Sequence, residues 1–122
     1  MLRTGVDILD IERLNRMQEE YPAIYQRFLR RVFTPQELDA AQGNVERLAG
    51  IFAAKEAAAK ALQCGIGSIG WQAIAIQHGA NGEPELEFSG KARAILDQLE
   101  VSEWSVSISH TRQQAVAMVV LQ

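Results

Sequence analysis

Glu56 and Lys60 stand one helical turn apart in Phe52-Ala53-Ala54-Lys55-Glu56-Ala57-Ala58-Ala59-Lys60-Ala61-Leu62, a stretch otherwise dominated by alanine. On a helix this spacing puts a carboxylate and an ammonium on one face beside Ala49 and Ala53, with Leu48, Ile51, Phe52, Ala59 and Leu62 on a neighbouring apolar face. Small side chains around two charges leave room for a ligand to come close. The same spacing also describes an exposed Glu–Lys pair worth about 0.2–0.5 kcal/mol, so the rest of the chain must decide between the two. Asp7 lies 49 positions upstream of Glu56. If the fold joins them, two carboxylates completed by phosphate oxygens make a magnesium arrangement, with Lys60 neutralising phosphate one turn along.

Cys64-Gly65-Ile66-Gly67-Ser68-Ile69-Gly70 contains a G-x-G-x-x-G match. A dinucleotide fingerprint needs a strand before it and a helix after it, whereas this stretch follows a helix and precedes a strand-like segment. It is read instead as a glycine-rich turn, either a plain helix stop or a cradle of backbone N–H groups for phosphate. Ser109 and His110, with Asp7 far upstream, suggest a hydrolytic triad. Neighbours on a strand point to opposite faces, which places Ser109 badly for losing its proton to His110, and there is no G-x-S-x-G elbow. His110, where a strand meets a turn, can donate to an anionic ligand. His78, beside Gly79-Ala80-Asn81-Gly82, has no such companions and is read as structural.

The elements that must position these residues follow from capping and periodicity. Gly5 to Ile8 end a short strand, and Asp10 caps a helix with Ile11, Leu14 and Met17. Pro22 opens a second helix with Tyr25, Phe28, Leu29 and Val32 inward and Arg27, Arg30 and Arg31 on its other side. With Arg13 and Arg16, five arginines oppose only Glu19 and Glu20 across 13–31, a basic region suited to an acidic partner or simply a solvated face. Thr34-Pro35-Gln36-Glu37 is a capping box for a short helix to about Ala41. The alanine-rich helix then runs from about Val45 to Gln63, with Gly65 as its stop. Strands at 73–76 and 85–88 join through Asn81-Gly82, a helix carries Ala94, Ile95 and Leu99, and two last strands flank the turn 110–113. This mixed order, with hairpins at the end, predicts an α+β fold.

The chain has 122 residues, 48% of them apolar, which fits one domain over 1–122 with its own core. A single cysteine, Cys64, allows no internal disulfide and suits a reducing, cytoplasmic setting. No apolar run is long enough for a bilayer and the first residues lack a signal peptide's apolar stretch. The net charge of −3 argues against a dedicated nucleic-acid binder.

Taken in order, Gly5-Val6-Asp7-Ile8 with Arg13, Arg31 to Glu37, Leu48-Ala49-Gly50, Phe52 to Lys60, Gly65-Ile66-Gly67, Asn81-Gly82-Glu83-Pro84 and Val106 to His110 resemble the holo-acyl-carrier-protein synthase family of 4′-phosphopantetheinyl transferases over nearly the whole chain. The resemblance implies transfer of the phosphopantetheine arm of coenzyme A to a serine of an acyl carrier protein, releasing adenosine 3′,5′-bisphosphate. It implies that Asp7 and Glu56 hold magnesium, that Lys60 and His110 meet the pyrophosphate, and that Gly65, Gly67, Pro84 and Ser109 shape the coenzyme A cleft. It further implies a homotrimer with sites between subunits and an acidic carrier protein docking on the Arg13, Arg16 and Arg27 side. Two positions depart from the family pattern: Ile51 stands where a basic residue is frequent, and Cys64 where threonine is frequent. The rival readings are a non-catalytic oligomer that binds coenzyme A or a carrier protein, and a metal-dependent phosphohydrolase. The general base is left open.

Overall fold

Gly5 is the residue on which the fold closes. In the computed structural model, which describes residues 1–122, strand β1 (Arg3–Asp10) lies directly across helix α4 (Val45–Ala61). A Cβ built on Gly5 would come within 1.9 Å of the Ala57 carbonyl oxygen, so only glycine permits this approach. The alanines of α4 serve the same end from the other side: Ala53, Ala54, Ala57 and Ala58 are completely buried. The space they leave is thus filled by the protein's own sheet. This corrects the expectation of alanine-lined room for a ligand, because small side chains admit a neighbouring strand as readily as a substrate.

The sheet over α4 has the order β1-β5-β4, all antiparallel, with β4 at Trp104–His110 and β5 at Gln114–Leu121. Its register pairs Asp7 with Ala117 and Ala117 with Ile108. Leu9, Ala115, Ala117, Val119 and Leu121 are buried, whereas Val6, Ile8 and Met118 on the opposite face are 58%, 61% and 49% exposed. A separate hairpin pairs β2 (Ile74–His78) with β3 (Pro84–Phe88). Helices α1 (Ile11–Glu20), α2 (Pro22–Val32), α3 (Pro35–Ala41), α5 (Ile66–Ile69) and α6 (Gly90–Gln98) complete the α+β architecture, with a 3₁₀ turn at Trp71–Ala73.

Local chemistry accounts for most boundaries. The Thr34 hydroxyl accepts from the Glu37 N–H at 3.1 Å while Glu37 Oε1 accepts from the Thr34 N–H at 2.9 Å, the reciprocal capping box read from the sequence. Asp10 occupies the cap position of α1, but its carboxylate makes no cap and accepts instead from the Gln114 side chain at 3.1 Å. Gly65 is not the helix stop. Gln63 takes the left-handed conformation at φ 59°, and Gly65 sits at φ −78° as the residue before α5. On α6 the buried residues are Ala92 and Leu96, while Ala94 is exposed. Neither α5 nor the 3₁₀ turn follows from periodicity, since one helical turn is too short to show any.

Candidate active site

Where β1 crosses the last turns of α4, the fold brings Asp7, Glu56 and Lys60 together across half the chain. Lys60 Nζ donates to Asp7 Oδ1 and to the Val6 carbonyl oxygen, both at 3.1 Å. The Asp7 side chain is 18% exposed and that of Lys60 55%, so the cluster opens to solvent on the lysine side. Glu56 is half-buried, and its carboxyl is pushed above the ordinary carboxylate value first by burial and then by the Asp7 charge, with Lys60 pulling the other way. Two carboxylates that resist sharing charge form a site that gains from a cation. No group of three or more His, Cys, Asp or Glu is arranged to hold a metal. A pair fits magnesium, which takes one or two protein carboxylates and fills its other positions with water and phosphate oxygens.

His110 belongs to a different place. It lines a cavity of about 520 Å³ with Glu46, Arg47, Ile51, His78 and Pro84. Its Nδ1 is 3.4 Å from Glu46 Oε2. Glu46 is in the first turn of α4 and Lys60 in the last, about 21 Å apart along the helix at 1.5 Å per residue, while Ile51 in the cavity wall and Glu56 are about 7.5 Å apart on the same scale. Within one chain Lys60 pairs with Asp7 and His110 with Glu46, and the cavity that holds His110 and Pro84 is lined by none of Asp7, Glu56 and Lys60. Ser109 shares its row with Val116 and Ile8 on the outer sheet face. Gly65 and Gly67 lie exposed beyond the end of α4, with open space where a side chain would be.

Arg13 and Arg16 border a groove between α1 and α2 with Met17, Tyr21 and Ile24, but Asp10, Glu12 and Glu20 border it too. Arg16 pairs with Glu20 at 3.6 Å, and Arg27 is exposed on α2 outside the groove. The surface is therefore mixed in charge rather than uniformly basic. Ile51 is buried and forms part of the cavity wall around His110. Cys64 is half-buried, its thiol pushed up by burial and placed 3.9 Å from the Ala59 carbonyl oxygen, a contact a threonine hydroxyl could also make. His78, read as structural from the sequence, is exposed at the cavity, as is Arg47 at its rim, with Glu46 half-buried beside it. The signal for these three was weak, because only the hairpin and the turn of α4 bring them to His110.

Residues 3–119 match the model of the 4′-phosphopantetheinyl transferase superfamily. A holo-acyl-carrier-protein synthase of Herpetosiphon aurantiacus is 40% identical over 127 aligned residues, covering 98% of both chains. The fold is similar to a crystal structure of the Helicobacter pylori holo-acyl-carrier-protein synthase in complex with coenzyme A, with TM-score 0.85 and 32% identity over 98% of this chain and 99% of that one. It is equally similar to the Neisseria meningitidis synthase, with TM-score 0.85 and 35% identity over 98% of this chain and 97% of that one. On its length, its fold and the order of its motifs, the chain belongs to the 4′-phosphopantetheinyl transferase superfamily.

Proposed function

We propose that this chain transfers the 4′-phosphopantetheine group of coenzyme A to a serine hydroxyl of an apo acyl carrier protein, at a magnesium-dependent site built on Asp7, Glu56 and Lys60. The observation that carries this reading is the meeting of those three side chains where β1 crosses α4, in a member of a transferase superfamily. The serine oxygen attacks the phosphorus that carries the pantetheine arm. The bond to the bridging oxygen breaks, and adenosine 3′,5′-bisphosphate leaves.

Asp7 and Glu56 would hold the magnesium, which supplies charge neutralisation to the pyrophosphate oxygens when bound. Lys60, anchored on Asp7 and on the Val6 carbonyl, presents a preorganised ammonium to the same oxygens. Burial and Asp7 raise the Glu56 carboxyl in the metal-free chain, a rise that bound magnesium would oppose. A water held by Glu56 or Asp7 is proposed to take the serine proton.

His110, Pro84 and Arg47 line the cavity in which the coenzyme A nucleotide is proposed to bind; Gly65, Gly67 and Ser109 lie outside that cavity, and their proposed part in shaping the cleft falls beyond it. Two features support a homotrimer with sites between subunits. The cavity around His110 is lined by none of Asp7, Glu56 and Lys60, and the outer sheet face leaves Val6, Ile8 and Met118 exposed. A neighbouring copy could then bring its cavity to this chain's Asp7, Glu56 and Lys60. The groove bordered by Arg13 and Arg16, with Arg27 nearby, is proposed to receive an acidic carrier protein, its acids selecting the register of the partner's charges. No helix is long and apolar enough to cross a membrane, and the single cysteine agrees with a cytoplasmic setting.

Product analysis tests this reading. Adenosine 3′,5′-bisphosphate should appear with magnesium and apo carrier protein together and not with either alone. Release without carrier protein would identify a phosphohydrolase, and coenzyme A bound intact under all conditions would identify a binding protein.

A further inference from the structure

Lys55, next to Glu56 in sequence, takes no part in the chemistry above, yet it and Glu37 are both completely buried and only 2.8 Å apart. Lys55 Nζ also donates to the Ile74 carbonyl at 2.7 Å and to the Trp71 carbonyl at 3.1 Å. Glu37 Oε1 accepts from the Thr34 N–H at 2.9 Å and Oε2 from the Ile76 N–H at 2.7 Å. Every proton of the ammonium and both carboxylate oxygens are used, and no buried side-chain polar atom in the chain lacks a partner.

A buried ion pair is poor evidence of stability, since well-packed apolar residues of similar volume frequently serve as well. What it supplies is direction. The pair ties together α3, α4, the 3₁₀ turn and β2. The cavity around His110 is walled by α3 at Ala40 and Ala41, by α4 from Glu46 to Ile51, by the β2–β3 hairpin at His78 and Pro84, and by β4 at Ile108 and His110. Three of those four walls are joined by this one network. The hairpin has two strands only, and a two-stranded unit is marginal unless anchored.

We propose that the Lys55–Glu37 pair is the positioning element of the coenzyme A cavity, holding the hairpin and α3 at a fixed distance from α4 so that His78, Pro84 and Arg47 face one another. The proposal rests on the reading that this cavity receives coenzyme A. The reach of the Glu37 side chain is then the property that matters. Glu37→Asp keeps the charge but is one methylene shorter, so it cannot span Lys55 and the Ile76 N–H together. Glu37→Gln keeps the length and loses the charge.

The test is steady-state transfer kinetics with melting temperatures on the full-length protein, together with calorimetric titration of coenzyme A. Glu37→Asp should raise KM for coenzyme A on the order of tenfold with kcat close to the parent. Glu37→Gln should melt lower than the parent yet keep KM closer to it. If Glu37→Asp does not fold, the double variant Glu37→Met with Lys55→Met removes the whole network and should show the same rise in KM. Arg47→Ala separates the two levels of the argument, because that guanidinium borders the cavity without touching the network. Parental coenzyme A binding by Arg47→Ala overturns the cavity reading and this proposal with it. Weakened binding by Arg47→Ala beside a parental KM in the network variants overturns the positioning role alone.

Discussion

Replacing Lys60 by alanine separates a working site from a surface ion pair, because the two readings predict different sizes of effect on different observables. The lysine side chain is 55% exposed and pairs with Asp7 at 3.1 Å. An exposed pair of this kind contributes at most about 1 kcal/mol to folding, so Lys60→Ala should barely move the melting temperature. The catalytic loss is larger. Removing one preorganised donor from a site of developing charge costs on the order of 2–4 kcal/mol, which is about 30-fold to several hundred-fold in rate. The variant also leaves Glu56 facing Asp7 with no cation nearby, and Lys60 is the group that opposes the upward push on the Glu56 carboxyl. Lys60→Ala should therefore lower kcat/KM for coenzyme A by about 30-fold or more and, by removing the ammonium that competes for Asp7, lower the magnesium concentration needed for half-maximal rate. The assay is carrier-protein modification over time at several magnesium concentrations, with thermal melts on the same preparations. Near-parental rates at every magnesium concentration would refute the reasoning and leave Lys60 and Asp7 as an ion pair without a catalytic role.

Gly5→Ala should lower the melting temperature strongly, since its Cβ would lie 1.9 Å from the Ala57 carbonyl oxygen and neither backbone can yield without moving α4; overpacking of this kind costs about 1–3 kcal/mol or more. A parental melt would show that β1 and α4 do not approach as described. Glu56→Gln should abolish most transfer and yet melt higher than the parent at neutral pH. A carboxyl raised in the folded state contributes stability below its ordinary value and loses it as pH rises through the raised value, so the gap between variant and parent should open across that window. Melting curves that run parallel from mildly acidic to neutral pH would contradict the assignment. Lys60→Ala and His110→Ala, each impaired alone, should recover activity when mixed and allowed to exchange subunits, because a mixed oligomer contains sites with both residues intact. Failure to recover in a demonstrably mixed oligomer would argue against a site between subunits.

The fold class and the ordered motifs were legible in the sequence because they depend on local chemistry. The Thr34–Glu37 capping box, the Pro22 helix start, the alternation of β4 and the apolar run of β5 are written in neighbouring residues, and the structure keeps them. Asp7, Glu56 and Lys60 could be nominated by residue type, but their meeting depends on β1 crossing α4, which no local pattern encodes. Gly5 and the alanines of α4 did carry that information, as a requirement for close approach that could equally have served a ligand. The buried Lys55 was invisible because a lysine among alanines reads as solvent-facing until its partners on α3 and β2 are in place. The separation of His110 from Lys60 depends on which end of α4 each meets, Glu46 for His110 and the last turn for Asp7 and Lys60, which no local pattern encodes.

The account's central claim is chemical, and the mass of an apo acyl carrier protein tests it most directly. After incubation with this protein, coenzyme A and magnesium, the carrier protein should gain the mass of one phosphopantetheine group, on its acceptor serine, and should gain none when magnesium is chelated. An unchanged carrier-protein mass, in a preparation that still binds or consumes coenzyme A, would contradict the claim.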